Sequence, residues 1–140
     1  MKQNPSVFQM GNPLPEQFSK FFIGQAYLQP LTDKGGPIAN VTFEPGCRNN
    51  WHIHHAKSGG GQILLVTGGK GWYQEWGEVA RQLVPGDVVV IPAGVKHWHG
   101  AASDSWFSHL AVEVTGEETS NEWLEAVTDE EYKKLGGDVK

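Results

Sequence analysis

The sequence predicts an all-β domain, arranged as a sandwich or a small barrel. Short runs of Val, Ile, Leu, Phe and Trp recur along the chain, and turn residues separate them at regular spacing. The 18 glycines and eight prolines are scattered between these runs, as a fold of many short strands requires. The chain of 140 residues has the length of about one domain, which buries roughly two thirds of the surface that its unfolded form exposes. We therefore expect one core and many turns.

The apolar runs predict the strands in chain order. The predicted elements are a strand over Phe21–Leu31, a turn at Lys34–Pro37, a strand from Ile38 that stops at Pro45-Gly46, the strand that carries His52 and His54, a hairpin over Gln62–Trp76, two strands broken at Pro85-Gly86 and at Pro92–Gly94, and a last strand over Trp106–Gly116. The run Val88–Ile91 is apolar at every position, which is typical of a strand covered on both faces.

The C-terminal residues change character and predict helix. They are rich in helix formers, and Thr128 followed by Glu131 has the spacing of a capping box, with Gly136 as the helix stop. We expect one or two short helices on the outside of the domain. The predicted organisation is a single domain over residues 1–140, divided into an N-terminal arm (1–36), a barrel core (about 37–115) and this helical segment (117–136).

Composition and charge exclude several classes of partner. The formal net charge is −5, and no cluster of Lys and Arg occurs, so nucleic acid is not expected to bind. No run of about 18 apolar residues occurs, and the N-terminus lacks the apolar core of a signal peptide. We therefore expect no membrane partner and a cytoplasmic location. The single cysteine, Cys47, cannot form an intrachain disulfide and is expected to be a small buried thiol.

Two histidine pairs are the first candidates for chemistry. Side chains two positions apart on a strand share a face, so His52 and His54 project together. His55 projects the other way and is expected at the surface. About forty residues later, His97 and His99 form a second pair with the same spacing.

A lone histidine on the last strand adds to these pairs. His109 shares a strand face with Ala111 and Glu113. Histidines on three strands could converge inside a barrel, where neutral imidazoles without partners would be costly to bury. A shared divalent cation is the simplest way to satisfy several of them at once. The sequence therefore predicts a metal site.

The spacing of these residues resembles the two motifs of the cupin superfamily. The first motif has the form G-x5-H-x-H-x3/4-E-x6-G, and here Gly46 is followed after five residues by His52 and His54. The second motif, G-x5-P-x-G-x2-H-x3-N, is matched by Gly86, Pro92, Gly94 and His97. The resemblance implies a double-stranded β-helix, or jelly-roll barrel, with the short C-terminal helices outside it.

Two positions depart from the motifs. Gln62 stands in place of the glutamate ligand and follows a longer loop, and Ala101 stands in place of the asparagine. An amide oxygen can coordinate a cation but brings no negative charge. The resulting site would be a neutral set of three histidines and a glutamine.

Longer strings resemble small single-domain bacterial cupins, among them manganese-dependent cupin hydroxynitrile lyases and carboxymuconolactone-decarboxylase-related cupins. The strings are "VTFEPG", "WHIHH", "GQILLVTGGKGW", "PGDVVVIPAGVKHWHGAA", "SHLAVEV" and "VTDEEY". By position, the resemblance implies the metal ligands His52, His54, Gln62 and His97, the acid/base groups His99 and His109, and the pocket-lining residues Ala39, Val41 and Glu113.

These features predict a metal-dependent enzyme that acts on a small hydroxy or oxo compound. A divalent cation with open coordination positions acts as a Lewis acid, and a nearby histidine can move the substrate's proton. The expected metal is manganese, with iron, zinc and nickel as alternatives, and the reaction is of the lyase, decarboxylase or isomerase type. Two alternatives stay open: a dioxygenase with a three-histidine iron site, and a non-catalytic cupin that binds a small molecule.

The N-terminal segment predicts self-association. Phe18, Phe21, Phe22 and Tyr27 supply enough apolar surface to cover or exchange a sheet edge with a second subunit. We expect a homodimer or a dimer of dimers, with a small-molecule substrate as the other partner.

Overall fold

The computed structural model describes residues 4–34 and 36–135. In chain order its elements are β1 (Asn12–Pro13), α1 (Glu16–Ser19), β2 (Phe22–Ile23), β3 (Ala26–Thr32), β4 (Ile38–Phe43), β5 (Arg48–Asn49), β6 (His52–His55), β7 (Ser58–Gly59), β8 (Gln62–Gly69), β9 (Gly71–Glu75), β10 (Arg81–Leu83), β11 (Val88–Ile91), β12 (His97–Ala101), β13 (Phe107–Glu113), β14 (Gly116–Glu117), β15 (Ser120–Trp123) and α2 (Asp129–Lys133). Gly35 of the predicted turn and the predicted helix stop Gly136 lie outside the described residues. Neither helix is long and apolar enough to cross a membrane.

The strands form two antiparallel sheets that pack as a jelly-roll sandwich, which confirms the predicted all-β fold. The six-stranded sheet has the order β1-β3-β4-β13-β8-β11. In the seven-stranded sheet the order is β10-β9-β12-β5-β2, and β6 joins it between β12 and β15. Strands β7 and β14 form a separate two-stranded ribbon.

Two hydrophobic clusters lie on opposite faces of the strands that carry the histidines. The core between the sheets includes Phe43, Leu64, Val66, Leu83, Val89, Ile91 and Phe107. The second cluster contains Trp51, Trp98, Val127 and Tyr132. Because Trp98 lies between His97 and His99 on β12, the histidines point into the sandwich and the tryptophan points out of it. Packing on both faces therefore fixes the histidine strands.

The predicted hairpin over Gln62–Trp76 was wrong in its pairing. Strand β8 pairs with β11 and β13, whereas β9 pairs with β10 and β12. The chain crosses from one sheet to the other at Gly69, which has a φ of +74°. A Cβ there would lie 1.7 Å from the Trp106 carbonyl oxygen, so only glycine fits. The turn residues indicated that the chain changes direction between β8 and β9, but tertiary packing decides which sheet β9 enters.

Only one face of β11 is covered, so the expectation of a strand buried on both faces was wrong. Val89 and Ile91 are buried, while Val88 and Val90 are 51% and 63% exposed. The reason is that alternate side chains face opposite sides of the sheet: Val89 and Ile91 face the core between the sheets, while Val88 and Val90 face outward.

Within the described part of the predicted C-terminal helical segment (117–136), which ends at residue 135, helix occurs only over Asp129–Lys133. The capping box is present, since the Thr128 side chain accepts from the Glu131 backbone and the Glu131 side chain accepts from the Thr128 backbone. The helix prediction was wrong for Ser120–Trp123, which pairs with β6 instead. Pairing with an available strand edge outweighs the local helix propensity of this stretch.

The N-terminal segment packs on its own chain. Strand β1 pairs with β3, and β2 pairs with β5. Tyr27 is buried, and the ring of Phe21 stacks on Trp123 with 4.7 Å between ring centres. The dimer or dimer of dimers that this segment suggested stays a prediction, which gel filtration would test.

A buried arginine ties α2 to the barrel. Arg48 donates from Nε and Nη2 to the Val127 carbonyl oxygen at 3.2 and 2.9 Å, and Nη2 also donates to Asp129 at 2.6 Å. The Arg48 guanidinium lies 4.3 Å from the centre of the Tyr132 ring. The Tyr132 hydroxyl in turn donates to the carbonyl oxygen of Ala101 on β12. Arg48 and Tyr132 together therefore join the helix to the strand that carries His97.

We expect Arg48→Ala to lower the free energy of unfolding by about 1–3 kcal/mol, because it leaves the buried Val127 carbonyl without its donors. Urea denaturation followed by circular dichroism measures the change. Asp129→Asn is the matched control and should have a much smaller effect, because the Asp129 side chain is 80% exposed. Equal losses in the two variants would show that the ion pair with Asp129, and not the hydrogen bonds to the Val127 carbonyl, ties the helix to the barrel.

Candidate metal centre

Three buried histidines on two neighbouring strands face one another. His52 and His54 lie on β6, and His97 lies on β12 directly opposite His52 in the ladder. The ring centres of His52 and His97 are 4.2 Å apart, and each of the other two pairs is separated by 5.1 Å. One nitrogen from each ring lies within 4.8 Å of the other two, a spacing at which the three could hold one metal ion.

Each of the three rings uses Nδ1 for a hydrogen bond to an oxygen. The pairs are His52 with the Asn50 carbonyl at 2.8 Å, His97 with the Val95 carbonyl at 2.9 Å, and His54 with the Asn121 side-chain oxygen at 2.7 Å. An oxygen acceptor requires a proton on Nδ1, which leaves a lone pair on Nε2. Within the described part of the chain, Nε2 of His54 and of His97 is buried and has no partner. Histidines that bind metals are oriented in this way.

Burial favours the neutral form of two of these imidazoles, those of His52 and His97. Loss of hydration lowers the pKa of His52 well below its ordinary value, and the nearby His97 lowers it further. The same loss of hydration lowers the pKa of His97 to about 4. Neutral imidazole is the form that binds metal, so these donors are ready at neutral pH.

Gln62 and Glu113 stand opposite each other where β8 begins and β13 ends. The Gln62 side chain is buried on the inner face of β8, and its Nε2 donates to a Glu113 carboxylate oxygen at 2.5 Å. Both residues line the cavity that also reaches His52 and His54. The predicted role of Gln62 as the fourth ligand stays a prediction.

The cavity beside the histidines has a volume of about 570 Å³. Its walls are mainly apolar and include Leu14, Phe22, Leu28, Ile38, Phe43 and Trp123. The predicted pocket residues Ala39, Val41 and Glu113 all line it. Neither Lys nor Arg is among the described residues around this cavity. It is therefore suited to a ligand with an apolar body.

His99 and His109, the predicted acid/base pair, line the same cavity outside the three-histidine cluster. Their ring centres are 4.8 Å apart, and that of His99 lies 5.7 Å from that of His52. Burial lowers the pKa of His99 well below its ordinary value, helped by the nearby His109, and lowers that of His109 to about 4. The backbone N–H of His99 donates to the Asn49 side chain at 2.9 Å. Neither ring nitrogen of His109 has a partner among the described residues.

His55 lies at the surface, apart from the cluster. Its Nε2 is 2.7 Å from a Glu122 carboxylate oxygen, and both side chains are about half exposed.

Sequence analysis missed two residues of β15 that contact the cluster. Asn121 accepts from His54, and Trp123 stacks against His52 with 4.6 Å between ring centres. They lie opposite those histidines in the β6–β15 ladder. Their spacing of two positions is the strand signal that could have identified them, but the helix formers around them outweighed it. Asn49 was missed as well, and no local pattern marks it.

Comparison with known proteins identifies relatives that cover most of the chain. The family model described as the Cupin domain matches residues 39–113. An (R)-mandelonitrile lyase from Granulicella tundricola is 42% identical over 118 residues, covering 81% of this chain and 87% of that protein.

Solved structures share the fold. A cupin-like protein from Thermotoga maritima has a TM-score of 0.78 and 40% identity, and the match covers 92% of this chain and 96% of that one. A cupin 2 conserved barrel domain protein from Rhodopseudomonas palustris has a TM-score of 0.66 and 18% identity, covering 89% of this chain and 81% of that one. The second likeness concerns the fold alone.

We expect His97→Ala to weaken binding of a divalent cation by more than about 100-fold, because losing a ligand costs more than losing a residue that only supports one. Titration with Mn²⁺, with free ion followed by electron paramagnetic resonance, measures the affinity. His55→Ala is the control and should bind as the unmodified protein does, since His55 is paired with Glu122 at the surface. Unchanged affinity in His97→Ala would contradict the proposed centre.

The metal-free protein should lose stability in mild acid, with His109 as one cause. Its pKa is about 4 when folded against 6.5 ordinarily, so the unfolded chain binds more protons between these values and stability falls as pH falls. From about pH 7 to about pH 5, His109→Phe should lose about 2 kcal/mol less than the unmodified protein. Phe43 and Phe107 already surround this ring, so an apolar ring suits the position. Urea denaturation at both pH values tests this, and identical losses would contradict it.

Proposed function

The chain belongs to the cupin family, and from this premise we propose that it is a metal-dependent enzyme of the lyase type that acts on a small hydroxy compound. One observation carries the proposal: three buried imidazoles lie close enough to hold one ion, and two of them line a cavity that is also lined by two more buried histidines. A cupin that only binds a ligand would need the three-histidine cluster alone. The two further histidines in the cavity, His99 and His109, are better explained by a role in proton transfer.

The proposed ligands are His52, His54, His97 and Gln62. The buried, unpaired Nε2 atoms fit a cation, because leaving them unpaired costs free energy that metal coordination offsets. The set is uncharged and combines imidazole nitrogens with an amide oxygen, a mixture suited to divalent ions of intermediate hardness. We propose Mn²⁺, with iron, zinc and nickel as alternatives. A bound divalent cation would supply Lewis acidity that stabilises negative charge on a substrate oxygen.

His99 is the proposed base. Its lowered pKa keeps the ring unprotonated at neutral pH, so it can accept a proton, and the same property makes the proton easy to return. The bond from its backbone to Asn49 fixes its strand position at the cavity. His109, whose ring lies across that of His99, is the second proposed acid/base group.

The cavity favours a substrate with an apolar body. It has room for an aromatic ring with a small substituent, and its walls are mainly apolar. Together with the mandelonitrile lyase relative, this leads us to propose aromatic cyanohydrins as the substrate class.

Cleavage of a cyanohydrin requires one proton transfer and one broken carbon–carbon bond. The hydroxyl proton passes to His99, and the electron pair of the O–H bond forms the carbonyl of the aldehyde. The nitrile carbon leaves with the carbon–carbon bonding pair as cyanide and takes the proton back from His99. The products are an aldehyde and hydrogen cyanide, so atoms and charge balance.

We expect His99→Ala to lower kcat for aromatic cyanohydrin cleavage by about 100-fold or more, the usual contribution of a general base. Release of the aldehyde, followed by its ultraviolet absorbance, measures the rate. Metal content, measured on the same samples, should be unchanged, which separates loss of a base from loss of the metal. An unchanged kcat in His99→Ala would contradict the role given to this residue.

A further inference from the structure

The register of one strand pair brings a carboxylate to the proposed fourth ligand. In the β8–β13 ladder the pairing shifts between Ser108 and His109, where β8 contains one extra residue, Thr67. Beyond this bulge Glu113 lies opposite Gln62, whereas an unshifted register would place it opposite Ile63. The bulge therefore makes the contact between the Glu113 carboxylate and the Gln62 amide possible.

This contact decides which end of the amide faces the histidines. A carboxylate only accepts hydrogen bonds, so the Gln62 group 2.5 Å from Glu113 is the NH₂ group. The amide oxygen then points to the other side. Only that oxygen can coordinate a cation, because an amide nitrogen has no lone pair to offer. Without Glu113, the two ends of the amide could exchange.

Gln62 and Glu113 differ in their exposure to solvent. Gln62 is buried, so it cannot exchange its protein partner for water without cost, while the Glu113 carboxylate is exposed and hydrated. At physiological salt, screening reduces the attraction between a divalent cation and a solvated carboxylate about 6 Å away to about threefold in affinity. The effect of Glu113 on the site should therefore act through the hydrogen bond more than through its charge.

We propose that Glu113 is a positioning residue that holds Gln62 with its oxygen toward the three histidines. The cupin motif has a glutamate ligand where this chain has Gln62, and here a carboxylate from another strand, Glu113, orients that neutral residue through one hydrogen bond. This inference rests on the proposed function, since it takes Gln62 as a ligand.

The experiment is a titration of the full-length protein with Mn²⁺ alone, with free ion followed by electron paramagnetic resonance. We expect Glu113→Ala to weaken binding about 10- to 100-fold, as loss of a residue that orients a ligand does. Glu113→Gln should weaken binding less than Glu113→Ala does, by under about tenfold: an amide at position 113 can accept the same bond or donate to the Gln62 oxygen, so it holds the favourable orientation only part of the time, and the screened charge is also lost. Glu117→Ala is the control: it removes an exposed carboxylate, bonded to Ser58, that does not line the cavity.

Two variants of Gln62 complete the test. In a Gln62→Ala background, Glu113→Ala should have no further effect on affinity, because the residue it positions is gone. Three results would each overturn the inference: unchanged affinity in Glu113→Ala, equal weakening in Glu113→Gln and Glu113→Ala, or full weakening by Glu113→Ala in the Gln62→Ala background. Thermal unfolding of each variant confirms that it folds. If the unmodified protein binds no Mn²⁺, the proposed metal fails together with this inference, whereas metal binding indifferent to Glu113 refutes the inference alone.

Discussion

Buried Nε2 atoms without hydrogen-bond partners are the feature on which the rest of this molecule depends. A buried polar group left unpaired costs about 1–3 kcal/mol, and among the described residues two such nitrogens, on His54 and His97, lie within a few ångströms of each other. The fold maintains this arrangement by giving each Nδ1 an oxygen partner, which fixes the ring and its proton. Burial lowers the pKa of His52 and of His97, which keeps those two rings neutral. The site is consequently built for a cation before any cation arrives.

The three rings are oriented by two kinds of hydrogen bond. His52 and His97 each bond the carbonyl of the residue two positions earlier, so their orientation comes from the local course of the strand. His54 depends on Asn121, which lies 67 residues later on β15. The same strand brings Trp123 against His52, and Arg48 holds the helix that follows it. The C-terminal segment is therefore part of the site and not only a cover for the barrel.

Period and spacing were enough to predict the all-β class and a convergence of histidines from three strands, whereas the resemblance to the cupin motifs implied the jelly roll and singled out His52, His54 and His97. Alternation along a strand sets which side chains share a face, and this rule holds without knowledge of the partner strands. The predictions that were wrong concerned features that depend on the partner strands. Ser120–Trp123 becomes a strand because β6 has an edge to offer, β9 enters the second sheet by pairing with β10 and β12, and Val88 is exposed because it faces outward from its sheet. The bulge at Thr67, which sets Glu113 opposite Gln62, likewise exists only in the paired ladder.

The account is tested most directly by elemental analysis of the protein purified without an affinity tag or chelator. We expect close to one manganese per chain, held by the proposed ligands His52, His54, Gln62 and His97. Iron in its place would favour a dioxygenase with a three-histidine site. No bound metal, even after reconstitution with each divalent ion, would contradict the account and leave a metal-free cupin that binds a small molecule.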